Sequence, residues 1–321
     1  MDRRDVLACV PAVGLGWSPG ARAQGFPERP VVIVVGAAPG GLQDAVARAL
    51  ADELAGLLGV QVIVENRGGH AGLLAMAAVR SAVPDGHTLL LAGPEVAALW
   101  IGNGDKPALE AIGVLATAPI VLAVPAASRI DTLSALLDPG PPRTLQVAAP
   151  GYLHMAILAR LRARSTARLQ LAGPRDAHVG AMSDGRVDLG MFTAAGVRQQ
   201  LASGALRALA STSDPGAGWK AGARFPLVDG RDLNLDQFYG LYGPLGTSAV
   251  ARDRLSGVLR QAMRRETWMS RLQQQGLRSG SGDAVSLSAA IARTIALVPD
   301  PCKISSECAR DDECPKPCPT S

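Results

Sequence analysis

The groups best placed to do chemistry in this chain are backbone amides. After the apolar run Val31 to Val35 comes Gly36-Ala37-Ala38-Pro39-Gly40-Gly41-Leu42-Gln43-Asp44, and then a segment to Leu58 with Val46, Leu50, Leu54 and Leu57 at helical spacing. Gly40 and Gly41 allow a ligand close to the main chain, and they stand just ahead of a helix N-terminus, where unsatisfied N–H donors and the helix dipole favour an anion. The expected occupant is a small carboxylate, with Ala38, Gly40 and Gly41 as the contact stretch. Asp44, at the start of the helix, is expected first to satisfy backbone N–H groups as a cap and only second to meet ligand.

Side chains give no catalytic signature. The four histidines, His70, His87, His154 and His178, form no His-Glu-x-x-His pair and no metal-ligand spacing. A Gly-x-Ser-x-Gly elbow, a Walker loop and a complete Gly-x-Gly-x-x-Gly fingerprint are all missing. The expectation is therefore no enzyme, no cofactor and no metal. Because catalytic triads are defined by geometry and not by order, an uncharacterised enzyme stays open as the remotest alternative.

The elements that must position this loop follow from hydrophobic patterning. Val60 to Val64 reads as a second strand, Asn66 to Gly72 as a second Gly-rich turn, Leu73 to Val83 as a helix and Thr88 to Leu91 as a third strand. Strands alternating with helices imply a parallel sheet, with ligands at the carboxyl ends of its strands. Ile120 to Val124 opens a second α/β series: strand 144–148, helix 154–164, strand 168–171, helix 176–184, strand 187–192, helix 197–203 and strand 207–211. The aperiodic stretch 214–231 reads as a connection between lobes. Strand 238–242 and helices 249–264 and 267–275 then return to the first lobe.

Composition narrows the class. The chain has 321 residues, 48% hydrophobic and 19% charged, enough to bury a sizeable core in two lobes. Aromatic residues are only 3%, which argues against base-stacking platforms and aromatic sugar clefts. The N-terminus, with Arg3-Arg4, an apolar run from Val6 to Trp17 and Ala21-Arg22-Ala23, reads as an export signal cleaved near Ala23. Without residues 1–23 the chain keeps 29 basic and 26 acidic side chains, a net of +3 without blocks of like charge, so no nucleic-acid partner is expected. Cys302, Cys308, Cys314 and Cys318 crowd the last twenty residues. In an oxidising compartment they suit two disulfides better than zinc, while a flexible appended tail or an altered reading frame is an equal alternative.

Five blocks in order resemble the periplasmic receptors of tripartite tricarboxylate transporters, the Bug-type solute-binding proteins. They are FPERPVVIVVGAAPGGLQD; VIVENRGGHAGLLAMAAVRSAVPDGHTLLLAG; GRVDLGMF; GALRALASTS; and FYGLYGPLGTS, spanning residues 26 to about 298. The resemblance implies an α/β, two-lobed periplasmic-binding-protein fold (type II-like), with a carboxylated ligand held between lobes for uptake or sensing. It implies a membrane transporter or sensor as partner, a periplasmic location and a monomer. The expected division is 1–23 export signal, 24–118 with 236–299 as the first lobe, 119–235 as the second, and 300–321 as tail. The chain departs from this family at three loops: Pro150 to His154 is short of hydroxyls, Leu73 stands where Asn is common, and Gly93-Pro94-Glu95 replaces Ser or Asn. Glu95 there would repel a carboxylate or call for a basic ligand group. Gly151, Tyr152, His154 and Arg175 are the expected second-lobe contacts, Arg175 because its planar fork suits a carboxylate. His70 and Asp188 complete the candidate set, Asp188 more as a turn residue. The altered loops also leave open a degenerate or signalling paralogue without a transport role.

Overall fold

The computed structural model describes residues 25–104, 106–138, 143–173, 175, 178–213 and 235–297. The expected export signal, the whole of the 214–231 connection and the Cys-rich tail lie outside these residues.

Among the described residues, eleven strands form two sheets. The first runs β11-β4-β10-β3-β1-β2, from β1 (Val31–Val35), β2 (Val62–Asn66), β3 (Thr88–Ala92), β4 (Glu110–Ala118), β10 (Gln237–Gly243) and β11 (Arg278–Ser279). The second runs β7-β6-β8-β5-β9, from β5 (Ile120–Pro125), β6 (Thr144–Ala148), β7 (Arg168–Leu171), β8 (Leu189–Thr193) and β9 (Leu206–Ser211). Helices cover both faces of each sheet, which is why β1, β3 and β5 read as near-continuous apolar runs. On one face of the first sheet α1 (Leu42–Leu58), α8 (Ala249–Ala262) and α9 (Glu266–Gln274) bury Leu50, Leu54, Leu255 and Trp268 against Ile33 and Leu91. On the other face α2 (Leu73–Arg80), α3 (Val96–Ile101) and α10 (Ala284–Leu297) pack Met76, Trp100 and Ile291 against Val34, Phe238 and Tyr242. The second sheet is covered by α4 (Leu133–Leu137) and α5 (Tyr152–Arg162) on one side, and by α6 (Val179–Ser183) and α7 (Ala194–Ala202) on the other.

The sheets are mixed where patterning implied parallel ones. β1 pairs in parallel with β2 and β3, and β6 with β7 and β8, but β10 runs antiparallel to β3 and β4, and β5 antiparallel to β8 and β9. Each reversed strand is one that arrives from the other sheet rather than through a covering helix, so no crossover fixes it as parallel. Smaller shifts also appear. The second strand is Val62–Asn66, two residues later than patterned, and the helix after β6 begins at Tyr152. Five elements that patterning did not show, β4, α3, α4, β11 and α10, are present.

The chain passes between sheets at Ala118-Pro119-Ile120 and again between Ser211 and Asp236. The two crossings are tied together. Ile120 N–H donates to Thr212 Oγ1 at 3.0 Å and Thr212 N–H to the Ile120 carbonyl at 2.9 Å. Thr212 and Ser213 hydroxyls donate to the two Asp236 carboxylate oxygens at 2.7 and 2.8 Å.

Candidate functional site

Both sheets repeat one local plan. In each, one strand, β1 before α1 and β6 before α5, lies between the next two parallel strands, β2-β1-β3 and β7-β6-β8, which makes its carboxyl end a topological switch point. The helix that follows has glycine at its N-cap, Gly41 for α1 and Gly151 for α5, and no side chain caps it. α4, α6, α7 and α8 are capped by Thr132, His178, Thr193 and Ser248, whereas α2, α3 and α9 also lack a side-chain cap but follow no switch-point strand. The first main-chain bonds are Ala45 N–H to the Gly41 carbonyl and Met155 N–H to the Gly151 carbonyl. The amides of Leu42, Gln43 and Asp44, and those of Tyr152, Leu153 and His154, are thus left as open donors at the positive ends of two helix dipoles.

The donors are not the ones the glycines suggest. Gly40, held at φ +82°, gives its N–H to Asp44 Oδ2 at 2.9 Å, and Gly41 N–H points to the Ala38 carbonyl at 3.3 Å. The two glycines shape the turn, and the first-turn amides behind them carry the free donor capacity. Asp44 sits at the third helical position and reaches back in the manner of a capping box. Its buried carboxylate also accepts from Arg48 Nε at 2.9 Å and Asn66 Nδ2 at 3.0 Å, and the bond from Arg48 above all holds its pKa down to about 2. Asn66 donates as well to the Ala37 carbonyl at 3.1 Å, so the last residue of β2 clamps the β1–α1 loop. The β2–α2 loop lies against it: a Cβ on Gly36 would sit 2.7 Å from Gly72 Cα. Residues 69–72 all have positive φ, including His70 (47°) and Ala71 (53°), a costly run for non-glycine residues. His70 is exposed there.

Glu95, directly after β3, joins the group. Its Oε1 accepts from Gly93 N–H and from Gln43 Nε2, both at 2.8 Å, which ties the β3–α3 loop to the second residue of α1.

On the other lobe Tyr152 is half-buried and packs against both the second-sheet core and the α2/α3/α10 layer of the first, so the first turn of α5 stands at the junction of the lobes. Burial pushes its phenol up to about 12. His154 is turned inward, 6% exposed, with neither ring nitrogen in a well-formed hydrogen bond; burial drives its pKa down to about 4 against a weaker opposing contact with the Gly151 backbone. The ring fits because Gly151 has no Cβ, which would stand 2.8 Å from His154 Nδ1. Arg175 is exposed in the segment after β7. Asp188 lies at the start of β8, where its Oδ2 accepts from Gln146 N–H at 2.8 Å and its own N–H reaches the Gln146 carbonyl. It is spent on joining β8 to β6.

Ala38, Gly40, Gly41, Asp44 and Glu95 are thus gathered by direct bonds, with His70 in the adjoining loop; Gly151, Tyr152 and His154 form one turn of α5. Gln43 and Asn66 were not singled out in the sequence. Asn66 belongs to the Glu-Asn-Arg block, the one signal that pointed to it. Among the described residues no group of three or more His, Cys, Asp or Glu gathers to hold a metal, and no helix is long and apolar enough to cross a membrane.

Residues 46–297 match the family described as tripartite tricarboxylate transporter family receptor. A UPF0065 protein from the tcbD-tcbE intergenic region of Pseudomonas sp. strain P51 is 30% identical over 304 residues, 88% of either chain. Protein BugT of Bordetella pertussis is 33% identical over 123 residues, 36% of this chain and 37% of that one. Among solved structures, MatC from Rhodopseudomonas palustris with bound malate superposes with a TM-score of 0.66 at 22% identity, covering 85% of this chain and all of that one (100%). A second R. palustris protein, with adipate, gives 0.65 at 21% identity over 84% of this chain and 95% of its own.

Proposed function

Because the chain belongs to the tripartite tricarboxylate transporter receptor family, whose members are solute-binding proteins and not enzymes, we propose that it is a periplasmic receptor that closes over one small carboxylated metabolite. The observation that carries this reading is the pair of uncapped helix N-termini, α1 and α5, one on each lobe at equivalent switch points. A carboxylate taken by the amides of Leu42 to Asp44 on one side meets those of Tyr152 to His154 on the other as the lobes close. Charge-assisted bonds of this kind contribute about 1.5–3 kcal/mol each, so a few suffice for micromolar affinity after ordering costs. The reading takes 24–118 with 236–299 and 119–235 as the two closing lobes. It assigns delivery of the ligand to a membrane transporter, after export through the 1–23 segment.

Calorimetry and thermal shift with a panel of mono- and dicarboxylates, beginning with malate and adipate, test it. Binding adds stability of about 2.7 kcal/mol at a hundredfold excess over Kd. Gly41→Val is the matched control: φ at Gly41 is −75° and the new Cβ touches only the Ala38 carbonyl, at 3.4 Å. We expect the variant to fold with nearly unchanged Tm and to bind at least about tenfold more weakly, because its branches stand over the α1 amides. Wild-type affinity in Gly41→Val would remove α1 from the site, and no shift with any acid would remove the receptor reading itself.

A further inference from the structure

We propose that Glu95 selects ligands that carry a protonated amine beside their carboxylate, so that the natural ligand is a small aminocarboxylate and not a dicarboxylate. The inference rests on the carboxylate-binding role above and adds the second ligand group.

Glu95 is a carboxylate bound to neutral donors alone. Both of its hydrogen bonds, from Gly93 N–H and Gln43 Nε2, fall on Oε1, and among the described residues no Arg, Lys or His nitrogen lies within salt-bridge distance. Oε2 accepts nothing and is not among the sealed polar atoms, so it remains open to water. The bond from Gln43 ties Glu95 to the second residue of α1, whose first-turn amides would hold the ligand's carboxylate, while the free oxygen stands by Gly93 on the Gln237 side. Anion donors and an uncompensated negative charge therefore stand side by side.

A second observation lies beneath the same loop. Tyr242 is fully buried and its hydroxyl has no partner. The ring lies over Gly240, with Oη 2.9 Å from where a Cβ there would be, and Gly240 is paired with Ala92, the last residue of β3 before Gly93. The hydroxyl is thus directed along β10 toward the β3–α3 loop. Glu95's charge adds to burial in raising the Tyr242 and Tyr239 phenols, which keeps both neutral. An ammonium on Oε2 supplies the missing countercharge, whereas a second carboxylate would meet like charge.

The test compares matched pairs by isothermal titration calorimetry: succinate against γ-aminobutyrate, and glutarate against δ-aminovalerate, in the wild type and in Glu95→Gln. The amide keeps an acceptor oxygen for Gly93 and Gln43 and removes only the charge. We expect the wild type to favour each amino acid over its diacid by about tenfold or more, and Glu95→Gln to lose that preference. Diacids binding the wild type as tightly as their amino partners would overturn the proposal while leaving the receptor reading intact. An undiminished preference in Glu95→Gln would also overturn it. Failure of every acid to bind would sink both. The wild-type comparison decides by itself should the variant not fold.

Discussion

A histidine in the first turn of a helix reads as an exposed cap or a ligand contact, yet the His154 ring is packed away with neither nitrogen in a well-formed hydrogen bond. Its pKa falls from 6.5 to about 4 because burial disfavours the imidazolium. Between those values the unfolded chain takes up a proton that the folded chain refuses, so stability declines as pH falls through this window, by on the order of 3 kcal/mol once pH is below 4. His154→Leu is expected to remove that slope and to melt higher than wild type at pH about 4.5; thermal melts of both proteins from neutral pH downward check it. Equal slopes would show that the ring finds a partner in solution. Asp44 reads differently again. Its place before an apolar period made a backbone-bonding role legible, but the bonds to Arg48 and Asn66 join residues of α1 to the end of β2 and had no sequence signal beyond the Asn itself.

At the scale of elements, the strands that were legible are those buried on both faces, where apolar runs are unbroken: β1, β3 and β5. β4 was not, because its small residues and Gly113 give no alternation: a Cβ at Gly113 would stand 2.6 Å from the Gly282 carbonyl, so the strand is shaped by its neighbour. α10 was missed although Leu287, Ile291 and Thr294 fall at helical spacing; its start is set by Asp283, which accepts from Ser286 N–H at 2.7 Å. The contact that aligns the two first-lobe loops is Gly36 on Gly72. Gly36→Ala is expected to cost about 1–3 kcal/mol, since the new methyl meets backbone that cannot swing aside. It should also weaken ligand binding. A denaturant melt with calorimetry checks both, and unchanged affinity at reduced stability would mean that loop alignment does not matter to the site.

At the scale of the molecule, the described residues join the lobes, among other contacts, at Pro119, at the Thr212–Asp236 network and where α5 packs against α10. In the last, Arg160 donates from Nε to the Leu297 carbonyl at 3.1 Å and from Nη2 to that of Ala296 at 2.7 Å, capping a helix packed on the other sheet. Leu297 itself belongs to the second-sheet core. Arg160→Ala is expected to cost about 1–2 kcal/mol, through two lost bonds to the helix end. Hydrogen exchange should show faster exchange in 284–297 than in the wild type, and protection equal to wild type would show that packing alone holds the joint.

What the sequence determined by itself is whatever depends on neighbours along the chain: the α/β alternation, the two Gly-rich loops at strand ends, the family blocks, and the want of any catalytic spacing. Those signals are local, set by periodicity and by which residues tolerate a turn. The tertiary structure alone decided that β10 and β5 run against their neighbours, that His154 is sealed from the cleft, and that Glu95 reaches across 52 residues to α1. It also moved the donors from Gly40 and Gly41 to the amides behind them. Burial and hydrogen-bond pairing belong to residues far apart in the chain, and only the folded arrangement determines which donors are spent and which are left for a ligand.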